Sequence, residues 1–201
     1  MEKNGDMMKT IIILGMHRSI TSLIAKGIAD NKVYVGDQLM PPNGGNPNGY
    51  WEDVDFVRMN NKLLGLAGGS WKNPPSEKSI LSLRRGHGSE IKHLIMKKEE
   101  RVREVYFREN ERLWGWKDPR TILTIRLYLP YLTNPHFILC FRNPLDVAKS
   151  LKKTERLSIS EGVNLWREYN RRMINFISNH YLDISTSPET IKGEKDESFA
   201  D

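Results

Sequence analysis

The first clear pattern is the unbroken apolar run TIIIL at 10–14, rich in β-branched residues. Continuous rather than alternating hydrophobicity predicts a strand buried on both faces. The run breaks at Gly15. From Thr21 to Asp30 the apolar positions Leu23, Ile24 and Ile28, with Gly27, recur at helical spacing. KVYVG at 32–36 predicts a short second strand. PPNGGNPNG at 41–49 is dense in turn formers and predicts a long loop, a kind of segment often tied to function.

Asp53 is placed to cap a helix running to about Leu64, and GLAGGSWKNPPS at 65–76 reads as a second loop. The charged stretch from Ser89 to Leu113 carries Ile91, Leu94, Ile95, Val102, Val105 and Tyr106 at helical positions, predicting one long helix. LWGWKDPR predicts a strand entering a turn, with a helix to Tyr131 behind it. HFILCF at 136–141 predicts a second strongly buried strand. Pro144 suits the first position of a helix. SISE at 158–161 is a capping box for a helix reaching about Asn179. YLDI at 181–184 predicts a last short strand. Residues 1–8 read as a frayed polar start and 186–201 as a disordered polar tail.

Strands alternating with helices predict an α/β fold: a three-layer sandwich around a mostly parallel sheet, in one domain over residues 1–185. A chain of 201 residues can bury roughly 70% of its unfolded surface in one core. Ligands of such sheets bind beyond the carboxyl ends of the strands. That directs attention to the loops after Gly15 and Phe141.

Composition refines this only modestly. Hydrophobic residues make up 38% and charged residues 28%, with a net charge of +6. The basic excess suits an anionic ligand. The mixing of both signs along the charged helix points to a solvated face rather than a nucleic-acid surface. The single cysteine, Cys140, lies in an apolar run and reads as a core thiol. One cysteine allows no internal disulfide, and no apolar run near the start is long enough for a signal peptide or a span. The expectation is a soluble cytoplasmic protein.

GMHRSITS, at 15–22, would wrap the amino end of a helix, where free backbone N–H groups and the helix dipole favour anions. The Walker pattern is only half met: Gly15 and Ser22 fit it, Ile20 and Thr21 do not. Nucleotide hydrolysis therefore becomes improbable, and a divergent P-loop kinase is the weaker alternative. RNPLDVAKS, at 142–150, places Arg142 at a strand end with Ser150 two helical turns on. Arginine suits phosphate, but Arg142 could equally pair with Asp146 or Asp118.

Taken together, these loops resemble those of sulfotransferases that use 3′-phosphoadenosine 5′-phosphosulfate (PAPS). In that family a loop R/K-S-G-T-[ST] follows the first strand, and R-x-P-x-D-x-x-x-S follows a later one. GWKDPRT resembles the K-D-P turn of the branch that includes tyrosylprotein sulfotransferases. NPNGYWED resembles a segment of prokaryotic members. The likeness spans roughly residues 9–170. It implies a P-loop NTPase-like fold in which Arg18, Ser19, Thr21 and Ser22 hold the 5′-phosphosulfate. Arg142 and Ser150 would hold the 3′-phosphate, and Lys117 would meet the bridging oxygen and the sulfuryl group. It also implies no metal, the product 3′-phosphoadenosine 5′-phosphate (PAP), and a hydroxyl or amine acceptor that is a carbohydrate, lipid, peptide or small molecule.

The acceptor's proton needs a base. Glu52, flanked by aromatics in GYWED, ranks first and Asp37 second. Asp118 could serve instead as a partner of Arg120, Glu52 could merely cap a helix beside Asp53, and His17 is read as stacking on its neighbours. Two departures from the family pattern predict a weakened or truncated enzyme, or a non-catalytic nucleotide-binding protein of the same fold. Ile20 stands where the family has glycine, and a β-branched residue at positive φ is an outlier. The polar tail also stands where family members continue.

Overall fold

The computed structural model describes residues 7–106 and 111–185. Strand β1 (Met7–Gly15) is central, between β2 (Glu111–Lys117) and β3 (Pro135–Cys140). Both pairings are parallel, with Ile13 opposite Lys117 and Gly15 opposite Cys140. All three strands therefore deliver their carboxyl ends to one edge. The chain is a mixed α/β fold with a small, open, parallel sheet.

The two buried faces of β1 explain its continuous apolar run from Ile11 to Leu14. Ile13 packs with Ala25, Ile24 and Ile28 of α1 (Thr21–Asp30) and with Cys140. Ile12 and Leu14 point into the larger core. There they join Phe56 and Leu63 of α2 (Val54–Leu66), Trp114 and Trp116 of β2, and Ile91 and Ile95 of the long charged helix. Phe56 stacks on Trp116 with ring centroids 4.1 Å apart. Cys140 is the buried thiol its sequence predicts.

The expected strand at 32–36 shrinks to a single bridge. Tyr34 pairs with Trp114, and its backbone exchanges hydrogen bonds with Leu113 and Gly115. Gly36, at φ 115, then turns the chain away. Asp53 caps α2 by accepting from the Asp55 amide, as expected. A short helix, α3 (Glu77–Ser82), precedes α4 (Arg84–Val105). The long charged helix thus begins before Ser89 and ends before Leu113. Glycines 86 and 88 disguised its start, since glycine is a poor helix former. At Gly88 a Cβ would crowd the Tyr131 hydroxyl, so a larger residue there would displace the end of that side chain. Residues 111–113 belong to β2, where pairing with Met7–Lys9 also replaces the expected fraying of the chain start from Met7 on.

Helix α5 (Thr121–Tyr128) and a 3₁₀ turn at Leu129–Tyr131 match expectation. Strand β3 is less buried than HFILCF suggested, because it pairs on one side only among the described residues. Helix α6 (Pro144–Glu155) opens with Asn143 as its cap. Ser158 and Glu161 form the reciprocal capping box of α7 (Ile159–Ser185). That helix runs on through 181–184, so YLDI is not a strand. The expected disordered tail, 186–201, lies outside the described residues. No helix among the described residues is long and apolar enough to cross a membrane.

Candidate active site

A cavity of about 180 Å³ opens at the carboxyl edge of the sheet, lined by His17, Arg18, Thr21, Ser22, Glu52, Lys117 and Arg142 among others. Each strand contributes to it: the loop after β1, the last residue of β2, and the loop after β3.

The first loop is tightly folded. A Cβ on Gly15 would lie 2.9 Å from both Cβ and the carbonyl oxygen of Cys140, so only glycine lets the turn pass β3. Arg18 and Ile20 both adopt left-handed backbone, at φ 69 and φ 59. Ile20 is the residue before α1, and it supplies no side-chain cap. The first amides of that helix have no intrahelical acceptor, and Thr21 and Ser22 line the cavity. Ser19 is buried, its Oγ without a hydrogen-bond partner.

Polar contacts tie the three loops together. Arg18 donates from Nε to Ser150 Oγ at 2.8 Å and from Nη1 to the Gly45 carbonyl at 3.0 Å. Arg142 donates from Nη1 to the Arg18 carbonyl at 3.0 Å. Ser22 donates to the Tyr50 carbonyl and accepts from Asn46 Nδ2. Arg142 therefore pairs with neither Asp146 nor Asp118 among the described contacts. Arg18, Arg142 and Ser150 form one cationic cluster.

Beneath it lies a buried ion network. Lys117 Nζ meets Glu52 Oε1 at 2.7 Å and Ser22 Oγ at 3.3 Å. Arg120 Nη2 meets Glu52 Oε2 at 2.9 Å, while its Nε meets the Asp118 carboxylate at 2.9 Å. Burial pushes the Glu52 carboxyl up, against the pull of Lys117. Burial pushes the Lys117 ammonium down, against the pull of Glu52. Burial also opposes the Arg120 charge, but Asp118 and Glu52 outweigh it and hold Arg120 up. Two cations and two carboxylates balance, as buried charges must.

Of the expected site residues, the cavity gathers Arg18, Thr21, Ser22, Glu52, Lys117 and Arg142, with Ser150 hydrogen-bonded to Arg18, while the buried Ser19 does not line it. Asp37 is not among them. It lies exposed on another surface, paired with Arg101 at 2.9 Å. The hydrogen bonds of Tyr34 and Arg101 hold its carboxyl below the usual range despite the opposing effect of burial. Asp118 pairs with Arg120, the structural role foreseen for it. His17 stacks on Trp71 at 4.2 Å, as its stacking role implied, and its buried Nδ1 has no partner. Burial first, then Arg120 and Lys117, depress its pKa well below 6.5.

Sequence reasoning missed Arg120 as a member of the site, along with Asn46 and Tyr50. Arg120 stands two residues beyond Lys117 in WKDPR, so its proximity was visible but its direction was not. Asn46 and Tyr50 sat in a loop that was recognised only by its turn formers. No family model, curated protein or solved structure matches the chain.

Proposed function

We propose that this chain is a PAPS-dependent sulfotransferase on a three-layer, P-loop NTPase-like scaffold, acting in the cytoplasm on a hydroxyl or amine acceptor. The observation that carries this reading is the convergence of Arg18, Lys117, Arg142 and the start of α1 on one cavity that also holds a carboxylate. Sulfuryl transfer is an in-line displacement in which positioning and charge stabilisation dominate, as in phosphoryl transfer.

In this reading Ser22 and the first amides of α1 receive the 5′-phosphosulfate, with Thr21 and Arg18 beside them. Arg142 and Ser150 take the 3′-phosphate. Lys117, on the floor of the cavity, meets charge growing on the leaving oxygen. Glu52 accepts the acceptor's proton; Asp37 plays no part, since it faces elsewhere. The volume of about 180 Å³ is below the roughly 300 Å³ at which pockets begin to enclose drug-sized ligands. It suits the anionic end of the donor, with the nucleoside lying outside.

The test is thermal stabilisation by PAP, AMP and ATP without divalent metal. A ligand at a hundredfold over its Kd stabilises by about 2.7 kcal/mol. PAP should raise the Tm most. A larger shift with ATP, or one that requires Mg²⁺, would favour the kinase reading instead.

A further inference from the structure

Glu52 carries a cation on each carboxylate oxygen, and the two cations are held very differently. Arg120 is clamped. The Asp118 carboxylate accepts from its Nε and its backbone amide. Asp118 in turn accepts from Asn60 Nδ2 at 2.8 Å, and Asn60 Oδ1 accepts from the Thr124 and Tyr128 hydroxyls. Lys117 lines the cavity, and Arg120 does not. Of the two cations on Glu52, Lys117 is thus the one that borders the cavity.

We propose that Arg120 is a positioning residue that holds Glu52 by Oε2, while an anion in the cavity draws Lys117 away from Oε1, so that Glu52 becomes a proton acceptor only after the anion is bound. This rests on the sulfuryl-transfer reading and gives it an order: donor first, acceptor second. In the free protein Oε1 is engaged by the ammonium at 2.7 Å. Once Lys117 turns to the bound anion, Oε1 faces the cavity. The acceptor oxygen then attacks sulfur. The bond from sulfur to the bridging oxygen breaks, its electron pair goes to the departing phosphate beside Lys117, and the acceptor's proton goes to Oε1. Without Arg120, the freed carboxylate would have no remaining cation and no fixed direction.

The charged and titratable groups around Glu52 are Lys117 at the end of β2, and Asp118 and Arg120 between β2 and α5. Arg18 and His17 after β1, and Arg142 after β3, share the cavity with it. Loss of the Lys117 contact weakens the pull toward the ionised form: at acid pH anion binding should take up protons onto Glu52, and at higher pH it leaves a more basic carboxylate free for the acceptor's proton.

The experiment is calorimetric titration of PAP into the full chain at about pH 6, in buffers of differing ionisation enthalpy. The wild type should take up more protons than Glu52→Gln. The difference removes any proton linkage of PAP itself. In Arg120→Met, the pH of half-maximal uptake should rise, because Glu52 loses a second cation, and Arg120→Lys should restore it. If Arg120→Met does not fold, the charge-balanced pair Arg120→Met with Asp118→Asn replaces it. Equal uptake in wild type and Glu52→Gln overturns the proposal, as does an unmoved midpoint in the Arg120 variant. If PAP does not bind at all, the donor reading falls. The same titration with inorganic pyrophosphate then decides the Lys117 exchange by the same two criteria.

Discussion

Arg18 Nε donates a hydrogen bond to Ser150 Oγ at 2.8 Å, linking the turn after β1 to the second helical turn after β3. The hydroxyl accepts this bond and keeps its own proton free to donate. Two guanidiniums and one O–H thus share a small surface, since Arg142 holds the Arg18 carbonyl. A phosphate there would receive charge-assisted bonds, each contributing on the order of 1.5–3 kcal/mol. Arg142→Ala should weaken PAP binding by roughly ten- to a hundredfold while hardly altering AMP binding, as read by calorimetry. Equal losses for both nucleotides would end the 3′-phosphate assignment.

The Lys117–Glu52 pair gives a stability prediction that needs no ligand. Both side chains are almost completely buried. Removing Lys117 leaves the Glu52 and Asp118 carboxylates to share Arg120, one buried charge uncompensated, which costs about 3–5 kcal/mol. Lys117→Met should therefore lower stability sharply in urea denaturation. Adding Glu52→Gln to Lys117→Met should recover most of the loss, because no uncompensated charge is left. Additive losses in the double variant would mean that the two residues do not interact as described.

The elements around the cavity were mostly legible because their signals are local. The β1 run, the spacing of α1, the Asp53 cap, Pro144 and the SISE box each encode their own structure within a few residues. The failures were of two kinds. YLDI and the 32–36 segment have strand-like composition, but one continues α7 and the other forms only one bridge at the sheet edge. Strand propensity is decided by what a segment packs against, and that is not local. The site divided the same way. The loop cations were readable from their motifs. Arg120 on Glu52, and Arg101 on Asp37, are separated by 68 and 64 positions and belong to the tertiary fold.

His17 makes a pH prediction. Its ring stacks on Trp71, and Nδ1 is shut off from solvent although part of the residue is not. Burial, aided by Arg120 and Lys117, depresses the folded pKa below its ordinary 6.5. At pH values between the two, the unfolded chain binds more protons than the folded one, so stability rises with pH there. The contribution is complete above about pH 6.5 and is lost as pH falls toward the folded value. Tm should decline on acidification through that window. His17→Phe, which keeps a ring against Trp71 and carries no proton, should flatten that part of the decline. An unchanged slope would show that other groups control it.

The last prediction concerns Ile20, a β-branched residue at φ 59 and ψ 8 in the turn that opens α1. Non-glycine backbone held there costs on the order of 1–3 kcal/mol. The side chain is 48% exposed, so its burial offsets only part of that strain. Comparing Ile20→Gly with Ile20→Ala isolates the backbone term, because both variants remove the side chain. In ordinary right-handed helix alanine is the more stable of the two by about 0.5–1 kcal/mol. At a left-handed position the order inverts, since alanine retains the Cβ clash and glycine does not. Ile20→Gly should therefore be more stable than Ile20→Ala by about 1 kcal/mol, measured by chemical denaturation. It should also bind PAP at least as tightly as the wild type, because relief of strain leaves the amides of α1 in place and removes bulk from the rim of the cavity. If Ile20→Ala proves the more stable, the residue is a packed helix-start position and the turn is unstrained. The claim of the loop on an anion would then rest on Arg18 and the hydroxyls of Thr21 and Ser22 alone.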